Sequence, residues 1–216
     1  MRPPESWQRA RVTLAIAAIT TAAWLAATGL GLTATPDSVV YAGGFIPARA
    51  GSSSSDIWLM PFVLTPLTAA LIHADFFHLL FNLLFLLFCG RSVENIIGGR
   101  GTMILYLVGA YAAAAAVYAA APSSTTVGFG ASGAVSAIVG AYAMLFGRQR
   151  VQTADPRIGL WLHALWLAAA WIGLQALLGV ASRLEGVGIS VAAHIGGFLI
   201  GLALAKPLLL LRWRGA

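Results

Sequence analysis

Charge is what this chain has least of. Of its 216 residues only 9% are Asp, Glu, Lys or Arg, against about 25% in an ordinary soluble domain. It has one lysine, Lys206, and one cysteine, Cys89. A single cysteine excludes an internal disulfide framework, and its apolar neighbours mark it as a buried structural thiol. What fills the space is apolar: 59% hydrophobic residues and a mean hydropathy of +0.85. A globule of this size cannot hide that much apolar surface in one core and keep a charged shell. Composition therefore excludes a soluble enzyme, a disordered chain and a disulfide scaffold. The net charge of +6 and pI near 10.3 do not make a nucleic-acid binder. Such proteins cluster their basic residues on one face, whereas these arginines lie singly or in pairs between long apolar runs. The chain reads as a polytopic membrane protein.

A span needs about 20 mostly apolar residues to cross roughly 30 Å of hydrocarbon. Six stretches qualify: Val12–Leu32, Phe77–Ile97, Thr102–Ala121, Gly130–Gly147, Ile158–Val180 and Val187–Leu211. The run after Arg11 is too long for a signal-peptide core and is taken as the first span. The one long connection, 33–76, carries Pro36, Pro47, Pro61, Pro66 and the Gly51–Ser55 tract. Its start is too polar to span, and Trp58–Leu64 reads as interfacial. The result is an all-α, six-transmembrane-helix bundle: an N-terminal segment 1–11, one domain over 12–211 and a tail 212–216. With the N-terminus in the cytoplasm, Arg2, Arg9, Arg11, Arg91, Arg100, Arg148, Arg150, Arg157, Lys206, Arg212 and Arg214 fall inside, and only Arg49 and Arg183 outside. That asymmetry obeys the positive-inside rule.

Polar groups are costly inside hydrocarbon, so those present are functional candidates. They are His78 and Asn82 in the second span, Ser132 and Ser136 in the fourth, His163 and Gln175 in the fifth, and His194 in the sixth. The sixth span runs inward, which puts His194 about 10 Å below the outer surface at 1.5 Å per residue. From Ser132 to Gly147 the fourth helix is only about 24 Å long, so Ser132 starts it at a comparable depth. His78 and Asn82 open the second span in the same outer layer. Ser132, Ser136 and Gly140 share one face, and His194, Gly197 and Gly201 share another. If these small-residue faces meet, the Ser132 hydroxyl and the His194 imidazole come within hydrogen-bonding reach. Alone, Gly197 and Gly201 are a common packing element, and Ser132 a helix-start cap.

A hydroxyl beside an imidazole is a nucleophile with its general base. No carboxylate offers a third member, because Glu94 lies at the cytoplasmic end and Asp75 and Glu185 at the outer rim. The unit would be a dyad. The Ser132 N–H at a helix start and the side chains of His78 and Asn82 are candidate oxyanion donors.

Three elements stand in order along the chain: His73 with His78 and Asn82, then Gly130-Ala131-Ser132-Gly133, then Ala193-His194-Ile195-Gly196-Gly197. At these intervals they resemble the rhomboid intramembrane serine proteases, over about Pro61 to Ala205. Glu94, four residues before Gly98, is similar to the family's helix-end feature. The resemblance implies Ser132 as nucleophile, His194 as base and later acid, and His78 and Asn82 lining the oxyanion hole with the Ser132 amide. It implies a structural role for His73. It also implies cleavage of single-span membrane proteins near the outer face of a bacterial inner membrane, with the first and fifth loops governing access and no cofactor. Two positions depart from the family pattern. Many members have an aromatic four residues after the nucleophile, where this chain has Ser136. A Trp-Arg dipeptide in the first loop is absent.

Other residues have plainer readings. His163, flanked by Trp161 and Trp166, is an interfacial anchor, and Gln175 an interhelical hydrogen-bonding group. A metal site of His73, His78 and His194 is disfavoured, since the first two point about 140° apart on a helix and no cysteine or carboxylate completes the set. The rival functions are an inactive rhomboid-like protein that binds clients without cutting them, and a small transporter. A transporter places its polar groups at the midplane, often with internal symmetry, and this chain has neither. Oligomeric state is not legible.

Overall fold

The computed structural model describes residues 10–29, 34–50, 59–147, 156–184 and 190–213. The expectations resting on Arg2, Arg9, Leu32, the Gly51–Ser55 tract, Trp58, Arg148, Arg150, Glu185, Val187 and Arg214 lie outside them, as do those on the side chains of Arg157 and Arg183. Among the described residues the elements are α1 (Arg11–Ala27), α2 (Asp37–Gly43), α3 (Thr65–Ala69), α4 (Phe76–Ala120), α5 (Ser132–Phe146), α6 (Pro156–Leu184) and α7 (Val191–Trp213). Short 3-10 turns stand at Pro47–Arg49 and Phe62–Leu64.

Three of these helices, α4, α6 and α7, are long and apolar enough to cross a membrane; α1 and α5 are apolar but shorter. α4 covers both the second and the third stretch expected from hydropathy. It breaks at Gly98, whose φ of 79° and ψ of 164° lie outside the helical region, a conformation that suits glycine because it has no Cβ to clash. The two limbs, 76–97 and 99–120, run in opposite directions. Along the first, His78 lies at Gly130 and Phe88 at Tyr142; along the second, Gly109 lies at Ala137 and Ala113 at Gly133. Residue numbers thus ascend beside α5 on one limb and descend on the other. The helix resumes immediately at Gly99, so the second limb starts before Thr102, the expected start of that span.

Exposure follows the same logic. Phe77, Phe81, Leu84, Phe85 and Phe88 form a stripe down the first limb of α4 with 52–66% of each side chain exposed. α6 shows Trp161, Leu165 and Leu177 at 62–71%. Water would penalise such stripes, whereas hydrocarbon accepts them. The core between the helices is built of Leu86, Val93, Leu105, Ala134, Ile138, Ala141, Ala205 and their neighbours.

One end of the bundle is tied by charge. The Glu94 carboxylate is 2% exposed and accepts from the Val12 N–H at 2.9 Å, the Thr13 N–H at 2.7 Å and the Thr13 hydroxyl at 2.7 Å. These N–H groups open α1 and have no intrahelical acceptor, so a carboxylate from another helix caps them and complements the helix dipole. Beside it, Arg212 Nη1 donates to the Asn95 carbonyl at 2.7 Å, capping the end of the first α4 limb from α7. At the opposite end the first connection folds back on the bundle. Phe45 and Gly128 exchange backbone hydrogen bonds at 2.8 Å in an isolated antiparallel bridge. The side chain of Arg49 donates to the Met60 carbonyl at 2.9 Å.

His163 departs from the interfacial reading. It is 4% exposed and its ring lies beside Gly147 at the end of α5, while Trp161 and Trp166 face outward.

Candidate active site

The α5–α7 contact positions the site. A side chain at Gly197 would collide with the Gly133 carbonyl, one at Gly201 with the Ala137 carbonyl, and one at Gly140 with the Phe198 carbonyl. The two backbones touch through glycines, as small-residue faces permit. On α5 the contact face is Gly133, Ser136, Ala137 and Gly140. Ser132, expected on that face, sits at its upper edge and turns its hydroxyl to α7.

There Ser132 Oγ lies 2.8 Å from His194 Nε2. No side chain caps the start of α5, so the hydroxyl is not spent as a helix cap. The chain enters α5 through Gly130, whose φ of 109° favours glycine. A Cβ there would also lie 2.7 Å from His78 Nε2. The Gly130 N–H is fixed to the Ala69 carbonyl at 2.8 Å. Gly133 in turn packs against α4, since a Cβ there would meet the Ala113 Cβ at 2.5 Å.

His78 and Asn82 stand one turn apart on the first α4 limb. The Asp75 carboxylate caps this helix by accepting from the His78 N–H at 2.9 Å. His78 Nδ1 accepts from the Ala74 N–H at 3.3 Å, which leaves the ring proton on Nε2, directed at Gly130 and the Ser132 region. Asn82, the other candidate oxyanion donor, gives one N–H to the His78 carbonyl at 2.8 Å and keeps a second N–H able to donate elsewhere.

His73 is fully buried and precedes α4 instead of sharing a helix with His78. The two rings meet edge to face at 5.0 Å, so the 140° separation assumed from helical spacing does not apply. His73 Nε2 accepts from the Ala131 N–H at 3.4 Å, which ties this segment to the residue before Ser132. Its carbonyl accepts from the Thr35 hydroxyl. Burial, with His78 adding to it, pushes the His73 pKa down to about 4, so the ring is a neutral acceptor. Among the described residues no group of three or more His, Cys, Asp or Glu can hold a metal ion.

The residue that sequence reasoning undervalued is Gln175. Its side-chain oxygen lies 2.9 Å from His194 Nδ1, on the far side of the ring from Ser132. The group behind the imidazole is an amide, which the lack of a suitably placed carboxylate in the sequence does not reveal. Trp171, one turn earlier on α6, donates to the His194 carbonyl at 3.2 Å and stacks on Phe198 at 4.6 Å. Two cavities lie elsewhere: about 380 Å³ between α5, α6 and α7 around Met144, Leu165 and Leu199, and about 480 Å³ beside Gly98 and Arg212. Neither is lined by His78, Asn82, Ser132 or His194; Ser132, His78 and His194 are each half-buried.

Lipid-facing stripes, apolar helices and a polar cluster held between them define an integral membrane protein. Residues 63–211 match the family model described as Rhomboid domain. The chain therefore belongs to the rhomboid family. It is 31% identical over 145 residues to “Rhomboid protease GlpG” of Enterobacter sp. (strain 638), an overlap covering 64% of this chain and 46% of that protein. The chain thus spans about half the length of this curated relative.

Proposed function

We propose that this protein is an intramembrane serine endopeptidase that uses Ser132 and His194 as a catalytic dyad. The observation that carries the reading is the 2.8 Å approach of Ser132 Oγ to His194 Nε2 in a half-buried site. His194 takes the hydroxyl proton as Oγ attacks the scissile carbonyl carbon. The Ser132 N–H, the His78 Nε2–H and the remaining Asn82 N–H stabilise the oxyanion that develops. Collapse of the tetrahedral species breaks the C–N bond, and His194 gives its proton to the leaving amine. Water then enters, deprotonated by the same base, and releases the acyl group. This chemistry needs no cofactor.

The substrates are single-span membrane proteins and the domain is a six-span bundle over 12–211, flanked by 1–11 and 212–216, in a bacterial inner membrane. Supporting the six-span count are the hairpin of α4 and the four further apolar helices. Supporting the orientation, Arg11, Arg91, Arg100, Lys206 and Arg212 belong to the end where α1 starts, α4 turns and α7 finishes. That end faces the cytoplasm, and Ser132 faces outward. The alternative, an inactive client-binding rhomboid-like protein, has no need of a hydroxyl and an imidazole held at bonding distance. Cleavage of a single-span reporter in proteoliposomes tests the reading. Ser132→Ala abolishes cleavage while inserting and folding; a wild-type rate in that variant overturns it.

A further inference from the structure

The face of the His194 ring turned away from Ser132 is held by α6. A neutral imidazole has one N–H and one acceptor nitrogen, and only an unprotonated Nε2 can take the Ser132 proton. Whatever binds Nδ1 therefore decides whether Ser132 has a base.

We propose that Gln175 is the positioning residue of His194: its amide oxygen accepts the Nδ1–H and leaves Nε2 free to face Ser132. The inference rests on the dyad reading above. An amide oxygen accepts and does not donate, and at 2.9 Å from Nδ1 it demands the proton there. With the amide reversed, its NH2 would face Nδ1, the ring proton would move to Nε2, and Ser132 would lose its base. Gln175 is 3% exposed, and a buried amide requires partners, so the ring and the amide satisfy each other.

Among the described residues no other side chain meets His194 Nδ1. Ser136, one turn into α5, is 4% exposed, packs against Gly197 and is too short to back the ring. α6 supplies the support in two places, Gln175 at the ring and Trp171 at the His194 carbonyl. α6 meets α7 over far less of its length than α5 does and barely touches α5. The seat of this outlying helix thereby sets the orientation of the imidazole. The groups facing His194 are Ser132 from α5, titratable His78 from α4, and the uncharged Gln175 and Trp171 from α6.

The test measures the rate at which a fluorophosphonate labels Ser132 across pH, in the full chain and in Gln175→Leu and Gln175→Glu. Gln175→Leu lowers the rate about 10–100-fold, by analogy with the loss of the outer hydrogen-bond partner of a metal-bound histidine. Gln175→Glu recovers most of it, because a carboxylate also accepts from Nδ1. It also moves the acidic limb of the profile up by about 1–2 pH units, since a nearby negative charge favours the imidazolium. The ¹⁵N spectrum of histidine-labelled wild type shows His194 protonated at Nδ1. A wild-type rate and profile in Gln175→Leu overturns the inference. So do equal losses in both variants with an unmoved profile, which mean packing alone, and an Nε2-protonated His194. Failure of the dyad reading is distinguishable: Ser132→Ala would then label as well as wild type.

Discussion

The backbone of Gly197 on α7 rests against the carbonyl of Gly133 on α5, with no room for a side chain between them. His194 stands about one helical turn before Gly197 and Ser132 immediately before Gly133, and their reacting atoms are 2.8 Å apart. The packing contact and the hydrogen bond are one geometric fact, since the helices carry both rigidly. Gly197→Ala therefore separates Ser132 from His194. Overpacking of this kind costs about 1–3 kcal/mol, read as a lower thermal midpoint in detergent. Labelling of Ser132 falls further than the stability loss alone explains.

The oxyanion donors have separable contributions. His78→Ala and Asn82→Ala each lower kcat about 10–1000-fold, the range for loss of a preorganised donor. The loss at Asn82 is the smaller, because one of its N–H groups is already committed to the His78 carbonyl. Steady-state cleavage of a reporter measures both, and near-neutral kcat values would reduce these residues to packing.

Glu94 acts at the other end of the bundle. It satisfies three donors of Val12 and Thr13, and removing a buried charged acceptor leaves them unpaired. Glu94→Ala destabilises by about 2–4 kcal/mol through detachment of α1. Folded protein at low temperature keeps its kcat, because Glu94 lies about 24 Å from His78 along the helix. Thermal unfolding and kcat measured side by side check this.

His73 makes stability depend on pH. Its pKa falls from 6.5 to about 4 on burial, so between those values the unfolded chain binds more protons than the folded one. Stability is fully present above about 6.5 and declines as pH falls toward about 4. Thermal midpoints at pH 7.5, 6, 5 and 4 follow that decline. His73→Asn lowers the midpoint throughout but flattens the dependence; an unchanged slope in the variant would contradict this account.

Much of this was legible because polar residues are rare. Each intramembrane polar side chain advertises itself, and counting 1.5 Å per residue placed Ser132 and His194 at one depth. The small residues at Gly140, Gly197 and Gly201 foretold which faces meet. The return between Ile97 and Thr102 was legible too, but not that Gly98 alone makes it and that the helix resumes at once, since a single positive φ leaves no trace in hydropathy. Periodicity misplaced His73, because a helical pattern was extended back over residues that precede α4. Gln175 was visible as a polar group but not as a partner, since the relative rotation of α6 and α7 is a tertiary property. His163 was read from its Trp neighbours, yet Trp161, two residues away, faces a different side of the helix, and the His163 ring lies beside Gly147.

The most direct measurement is labelling of the protein in native membranes by a fluorophosphonate, with the modified residue mapped by peptide mass spectrometry. The account predicts one adduct, on Ser132, that is lost in both Ser132→Ala and His194→Ala. Labelling that persists in either variant, or an unlabelled Ser132 in the wild type, would contradict it.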